Sequence, residues 1–151
     1  MKETKKIFIV TSEFPPQPGG IGQHAYDLAY HLALTEQVIV LTDQRSADGI
    51  NEKEFDIQQN FQVRRTPRYA ILLFTYIQRL IIALQIAGKG DVVLVSGKFS
   101  LWQGGLIRLL KHQPIIAIIH GTEVLLGNSY LKKITELCLQ SFDHVIAVSH
   151  Y

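Results

Sequence analysis

The sequence predicts one α/β domain in which helices cover both faces of a mostly parallel sheet. Short runs of consecutive apolar, largely β-branched residues alternate along the chain with segments of helical periodicity. Continuous hydrophobicity is typical of strands buried on both faces of a parallel sheet, and a regular strand and helix alternation implies right-handed crossovers. The 151 residues, 47% of them hydrophobic and 19% charged, suffice for one core and argue against a disordered chain.

The first half of the chain contains three predicted strands and two predicted helices. Ala25, Leu28, Ala29 and Leu32 recur at helical spacing, whereas the polar stretch 43–59 predicts an exposed loop with at most a short helical turn. The predicted strands cover about 7–11, 38–42 and 61–65, and the predicted helices cover about 21–34 and 70–87.

The second half continues the same alternation. Gly88 and Gly90 are stop signals for the preceding helix. Because the chain ends at Tyr151 directly after a strand, where a doubly wound domain normally continues, we expect it to be part of a longer protein. The predicted strands cover about 91–96, 114–119 and 144–148, and the predicted helices cover about 101–111 and 131–140.

Composition limits the function classes. The formal charge of +2 and the pI near 8.7 are only mildly basic, and the cations are scattered, so no nucleic-acid-binding surface is indicated. The single cysteine, Cys138, excludes an internal disulfide and fits a reducing compartment. The apolar run Ile7 to Val10 is too short for the core of a signal peptide, so we expect a cytoplasmic protein.

The apolar segment 70–87 raises the question of a membrane. Gln78 and Arg79 at its centre argue against a membrane-spanning helix. Core burial is favoured over a position at the membrane surface, which stays open and would place the protein at the inner face of the membrane.

The loop from Ser12 to Gly22 is the most informative segment for function. Three prolines stiffen it, and Gly19, Gly20 and Gly22 lack side chains, so backbone N–H groups at the start of the next helix can approach an anion. A phosphate is the natural ligand for such a loop. Local chemistry equally allows a long turn that needs glycine for positive φ.

A dinucleotide-binding fingerprint is the rival interpretation of the same residues. The stretch from Gly20 to Ala25 has the required glycine spacing, and Asp43 lies at the end of the second strand, where a ribose ligand belongs. The match is weak, because the proline-rich insert from Ser12 to Pro18 separates the strand from the glycines. An ordinary turn residue is the simpler interpretation of Asp43.

Histidines define two further candidate sites. His24, Asp27 and His31 share one stripe of the first helix, but with no obvious fourth ligand we expect no metal there. His24 lies near the glycine loop and can face the ligand crevice.

A polar segment, His120-Gly121-Thr122-Glu123, follows a very apolar strand. His120, Thr122 and Glu123 suit contacts with a sugar hydroxyl or a phosphate oxygen, and His120 also suits proton transfer. The alternative assigns Thr122 to a helix cap and His120 to a turn. Lys98, at another strand end, is expected to be solvated.

Taken together, these segments resemble family 4 glycosyltransferases of the GT-B fold, over essentially the whole chain. The resemblance rests on the order and spacing of five segments. They are the Pro-rich loop with Gly19-Gly20-Ile21, the helix with His24 and Leu28-Ala29-Leu32, Val38 to Thr42, His120 to Glu123, and Asp143 to Ser149.

The resemblance implies a Rossmann-like amino-terminal domain, the acceptor-binding half of a retaining transferase. A carboxyl-terminal domain would bind the nucleotide-sugar donor, and the active site would be the cleft between the two. Gly19 and Gly20 would approach the donor diphosphate, and His120 would lie near the transferred sugar or the leaving phosphate. The acceptor would be a carbohydrate or a lipid-linked molecule, and neither a cofactor nor a divalent metal is expected.

The main departure from the family pattern is that its carboxyl-terminal domain is absent from this sequence. We therefore expect residues 1–151 to form one domain that does not turn over by itself. Two alternatives stay open: an NAD(P)-binding Rossmann domain of a dehydrogenase, and a non-catalytic binding domain.

Overall fold

The computed structural model describes residues 3–121 and 127–148. The described residues form an α/β domain with one six-stranded, all-parallel sheet in the order β3-β2-β1-β4-β5-β6, which confirms the predicted fold class. The strands are β1 Lys6–Thr11, β2 Gln37–Asp43, β3 Gln62–Thr66, β4 Val92–Ser96, β5 Ile115–Ile119 and β6 His144–Ala147. The helices are α1 Gly20–Leu32, α2 Ile50–Asp56, α3 Leu72–Ala87, α4 Lys98–Leu110 and α5 Ser129–Ser141.

The first strand lies at the centre of the sheet. It pairs with β2 on one side and β4 on the other, so the chain reverses its direction of winding at β1. Alternate side chains of β1 enter two apolar clusters, one on each face. Phe8 and Val10 pack with α3 and α4, and Ile9 packs with Ala25 and Ala29 of α1.

The stretch 43–59 contains more structure than the sequence indicated. Instead of a loop with at most a short turn, it forms α2, about two turns long. Glu52 explains the difference, because its buried carboxylate accepts hydrogen bonds from the backbone N–H groups of Arg45 and Ser46 and from the Ser46 hydroxyl. These bonds fold the polar loop onto its own helix, an arrangement that hydrophobic periodicity cannot indicate.

Helix α3 is buried on one face only. Ala83, Ile86 and Ala87 join the core, as the favoured interpretation of this apolar segment predicted. The opposite face, with Leu73, Phe74, Ile77 and Ile81, is exposed. Arg79, the residue that argued against a membrane span, is instead fully buried. Among the described residues, no helix combines the length and the hydrophobicity that crossing a membrane requires.

Helix α4 begins earlier than expected, at Lys98 instead of Leu101. Gly97 precedes it with φ 86°, a left-handed conformation that side chains other than glycine rarely adopt. The sharp turn lets the helix start directly after β4. The carboxyl end of the central strands is therefore crowded by the first residues of α1 and α4.

Candidate active site at the carboxyl edge of the sheet

The loop between β1 and α1 is anchored by its own aromatic residue. Phe14 is buried and makes edge contacts with Tyr26, Phe55 and Phe61 at centroid distances of 6.1 to 6.3 Å. Arg65 donates a hydrogen bond to the carbonyl oxygen of Pro15 from β3. The loop is thus held against α1, α2 and β3, and the glycines that follow it have a fixed position.

The three glycines of this loop have different surroundings. A side chain at Gly22 would approach the backbone N of Phe14 to 3.0 Å, so Gly22 permits close packing of α1 on the loop. A Cβ at Gly19 would meet the carboxylate of Glu13, whereas one at Gly20 would meet no atom within 4 Å. Positive φ is confined to Gly49, Gly97 and Gly121 among the described glycines, so this loop does not need glycine for that reason. Gly20 is therefore the open position.

The amino terminus of α1 is chemically suited to an anion. No side chain caps it, and its first turn carries no acidic residue. Its first N–H groups and the positive end of the helix dipole therefore face the carboxyl edge of the sheet. One carboxylate lies nearby, because Glu13 is next to Gly19 and 3.9 Å from the guanidinium of Arg45.

The two histidines singled out from sequence are in contact. The rings of His24 and His120 meet edge to face with centroids 5.2 Å apart, although 96 positions separate them. Nε2 of His120 lies 3.1 Å from the hydroxyl oxygen of Ser96, which fixes the ring at the ends of β4 and β5. Nδ1 of His24 is buried and has no hydrogen-bond partner within residues 3–121 and 127–148. The structure therefore brings the glycine loop and the His-Gly segment to one edge.

Asp43 has a role that the sequence did not indicate. Its Oδ1 lies 2.9 Å from Nη1 of the buried Arg79 and accepts a hydrogen bond from Thr66. Arg79 also donates to the carbonyl oxygen of Thr11 and to Ser100 Oγ. Burial lowers the pKa of Arg79, and the Asp43 carboxylate opposes that shift. The dinucleotide interpretation required the Asp43 carboxylate to bind a ribose. In the structure this carboxylate is instead paired with Arg79.

Two arginines missed by the sequence analysis line a pocket at the same edge. Arg45, after β2, and Arg68, after β3, border a cavity of about 150 Å³. Its other lining residues are Ser12, Asp43, Thr75, Tyr76 and Phe99. The polar character of the stretch 43–59 was visible in the sequence, but nothing local showed that the two loops converge.

Several expected features stay untested. Thr122 and Glu123 lie outside the described residues, so their predicted contacts remain predictions. Within residues 3–121 and 127–148, no group of three or more His, Cys, Asp or Glu side chains could bind a metal ion. His31 instead lies against its own helix, with Nδ1 2.7 Å from the carbonyl oxygen of Asp27.

Comparison with known proteins identifies the family. The model of Glycosyltransferase Family 4 matches residues 18–151, which include Gly19, Gly20 and Gly22 of the loop and the His-Gly segment. The chain belongs to Glycosyltransferase Family 4. No curated protein matches the sequence significantly.

Solved structures support the same fold for this family 4 chain. HepE from Anabaena in complex with UDP has a TM-score of 0.71 at 17% identity, over 95% of this chain and 38% of HepE. The complex of HepE with UDP-glucose has a TM-score of 0.67 at 16% identity, over 96% of this chain and 38% of HepE. MurG from Acinetobacter baumannii has a TM-score of 0.65 at 16% identity, over 95% of this chain and 41% of MurG. The chain therefore spans about two fifths of the length of HepE and MurG.

Proposed function

We propose that this domain is the acceptor-binding half of a retaining glycosyltransferase that uses a nucleotide sugar. The observation that carries the proposal is the contact between His24 and His120, which joins the open glycine turn to the His-Gly segment. Family membership supports glycosyl transfer, and the complexes of HepE with UDP and UDP-glucose support this donor class. A second α/β domain would bind most of the nucleotide and close over this edge.

In this mechanism the amino terminus of α1 stabilises the leaving diphosphate. Negative charge accumulates on the phosphate oxygens as the glycosidic bond breaks, and fixed N–H dipoles stabilise that charge without reorganising. Gly20 allows the donor to approach because its Cβ position is empty. Gly19 would contribute a second N–H group, whereas Gly22 acts through packing.

His120 would contact the sugar being transferred. Its ring is oriented by Ser96 and packed against His24, which holds the imidazole at a fixed position on this edge, where it would contact the sugar or a phosphate oxygen. In this scheme His24 would border the sugar and the acceptor, and contacts from Thr122 and Glu123, which lie outside the described residues, remain predictions.

The first test is the variant Gly20→Val of the full-length protein, assayed for sugar transfer and donor hydrolysis across a panel of nucleotide sugars. We expect kcat/KM to fall by about a hundredfold or more, because the side chain would occupy the path of the diphosphate. The fold should tolerate the change, since the added Cβ meets no atom within 4 Å.

Gly88→Val is the matched control, because Gly88 is exposed at the end of α3, at the opposite edge of the sheet. It should leave transfer unchanged. Transfer by Gly20→Val at the rate of the control variant would refute the donor site. A parallel assay with and without EDTA tests the proposal that no divalent metal is needed.

His120→Ala tests the second half of the site separately. We expect a tenfold to hundredfold loss of kcat, about the cost of one well-positioned hydrogen bond to the transition state. Ser96→Ala should lower kcat less than His120→Ala, because it removes the hydrogen-bond partner of the His120 ring and leaves the ring itself in place. If His120→Ala keeps full transfer activity while Gly20→Val loses it, the donor site is restricted to the glycine loop. His120 would then be an ordinary residue of the turn after β5.

A further inference from the structure

The arginine pocket continues into an apolar groove. The pocket lined by Arg45 and Arg68 shares the side chains of Tyr76 and Phe99 with a second cavity, of about 350 Å³, between α3 and α4. The rings of Tyr76 and Phe99 stack with their centroids 5.1 Å apart and form the wall common to both. The groove is then lined by Ile77, Leu80, Trp102, Gln103 and Leu106.

The pocket is electropositive. Arg45 is 43% exposed at its side chain, and its only acidic partner among the described residues is Glu13, at 3.9 Å. Such an exposed pair is worth little and is easily exchanged for another anion. Arg68 is exposed and forms no ion pair with any described residue. The Asp43 carboxylate, which also lines the pocket, is already paired with Arg79.

The groove has the opposite character. Ile77 and Leu106 are 46% and 44% exposed, and Phe99 and Trp102 meet edge to face at 5.5 Å. Adjacent apolar side chains left in water on the outer face of two helices indicate a surface for an apolar ligand. The anion-binding end and the apolar groove therefore fit a molecule that is itself amphipathic.

We propose that the acceptor is a lipid phosphate, with its phosphate between Arg45 and Arg68 and its hydrocarbon chain along the groove between α3 and α4. In the transfer, an oxygen of the lipid phosphate would bond to the anomeric carbon of the donor sugar, the bond from that carbon to the nucleoside diphosphate would break, and the nucleoside diphosphate would leave. Paired guanidinium groups suit a phosphate because each presents two parallel N–H donors. Ser12 borders the pocket and contacts the turn at Gly97, directly before α4 and after Ser96. The phosphate would thus lie on the α3 and α4 side of the same edge that carries His120. This inference rests on the proposed glycosyltransferase function, whose acceptor it specifies.

Fluorescence of Trp102 measures binding by residues 1–151, because Trp102 is the only tryptophan in this range and lines the groove. The probes are farnesyl phosphate, farnesol and inorganic phosphate, below the concentration at which the lipids form micelles. We expect farnesyl phosphate to shift the emission saturably and to bind about tenfold or more tightly than farnesol. Inorganic phosphate should leave the emission unchanged.

Two variants separate the ends of the site. Arg45→Gln with Arg68→Gln should remove the advantage of farnesyl phosphate over farnesol, whereas Arg64→Gln, a matched change on β3, should keep it. Leu106→Asp should weaken the binding of both farnesyl phosphate and farnesol. Leu34→Asp, which changes an exposed leucine just after α1, should leave the binding of both unchanged. Equal binding of the two lipids, or a preference that survives in the double arginine variant, would overturn the proposal.

A bilayer is the competing occupant of the groove. Binding to phosphatidylglycerol vesicles that depends on Leu106 but not on Arg45 and Arg68, with no saturable farnesyl phosphate binding, would assign the surface to a membrane and overturn the proposal.

Transfer assays then distinguish failure of the acceptor assignment from failure of the proposed glycosyltransferase function. If the enzyme hydrolyses a nucleotide sugar but never glycosylates the bound lipid phosphate, the acceptor assignment fails alone. If no nucleotide sugar is consumed under any condition while farnesyl phosphate still binds, the proposed function fails.

Discussion

Individual polar residues organise the loops at the carboxyl edge. Glu52 is the clearest example, since one of its carboxylate oxygens accepts two backbone N–H bonds and the other accepts the Ser46 hydroxyl. Burial acts to raise the pKa of Glu52, but the hydrogen bonds from Ser46 and Arg45 outweigh it, so the pKa is lowered. A buried carboxylate that is fully hydrogen-bonded stabilises the loop that carries Arg45.

The lowered pKa of Glu52 makes the stability of this loop dependent on pH. A carboxyl whose pKa is lower in the folded state contributes stability above its unfolded pKa and loses it as the pH falls through the folded pKa. We expect Glu52→Gln to reduce the free energy of unfolding at pH 7 by about 1 to 3 kcal/mol. Below pH 4.5, the ordinary pKa of a glutamate, the difference in free energy of unfolding between Glu52→Gln and the unmodified protein should shrink. Chemical denaturation of both proteins at several pH values measures this difference.

Glu54→Gln is the matched control, because Glu54 is an exposed residue of the same helix. Its effect should stay within about 0.5 kcal/mol. A Glu52→Gln difference that is constant from pH 7 to pH 3 would contradict the pKa assignment, although the packing of α2 would stand.

At the scale of elements, Arg79 joins α3 to the sheet. Its guanidinium contacts Asp43 of β2, the carbonyl oxygen of Thr11 in β1 and the hydroxyl of Ser100 in α4. Because a buried cation is costly unless it is paired and hydrogen-bonded, these contacts fix the position of α3 over the central strands. The opposite face of α3 is therefore exposed to solvent and forms one wall of the apolar groove between α3 and α4.

We expect Arg79→Leu to lower the free energy of unfolding by about 3 to 5 kcal/mol, the usual cost of breaking a buried ion pair. The double variant with Asp43→Asn should lose less than the sum of the two single variants, because each removes the same interaction. Denaturant titration of the three variants gives the coupling. As a control, Arg64→Leu, at an exposed position of β3, should leave the free energy of unfolding nearly unchanged. A loss below about 1 kcal/mol for Arg79→Leu would show that the ion pair of Arg79 with Asp43 contributes little to stability.

At the scale of the whole molecule, stability is expected to decrease from the centre of the sheet to its edges. Strand β1 is paired on both sides and its residues from Phe8 to Thr11 are buried, whereas β3 pairs with β2 and exposes Gln62 and Arg64. Buried, doubly paired strands open only with global unfolding, whereas edge strands open locally.

Hydrogen exchange tests this gradient. Amides of β1 should exchange more slowly than those of β3, because β1 opens only with global unfolding and β3 opens locally. Comparable protection in β1 and β3 would contradict the order. Adding farnesyl phosphate should slow exchange at the start of α4 and in the segment that carries Arg45 and leave β6 unchanged.

The sequence alone determined the succession of strands and helices, the parallel sheet and the glycine loop, because hydrophobic periodicity and glycine spacing are local properties of the chain. It also selected His24 and His120 through their positions at element boundaries. Element ends shifted by up to three residues, and α2 was missed because a hydrogen-bonded carboxylate rather than an apolar stripe holds it.

Only the tertiary structure decided which of these residues meet. The strand order β3-β2-β1-β4-β5-β6 places loops that are distant in sequence at one edge, so that His24 contacts His120 and Arg45 converges with Arg68. The burial of Arg79 was likewise decided there, because Asp43 lies 36 positions away in the chain. Pairing of charges and rings across such separations depends on how the chain winds around β1, and no local pattern encodes that.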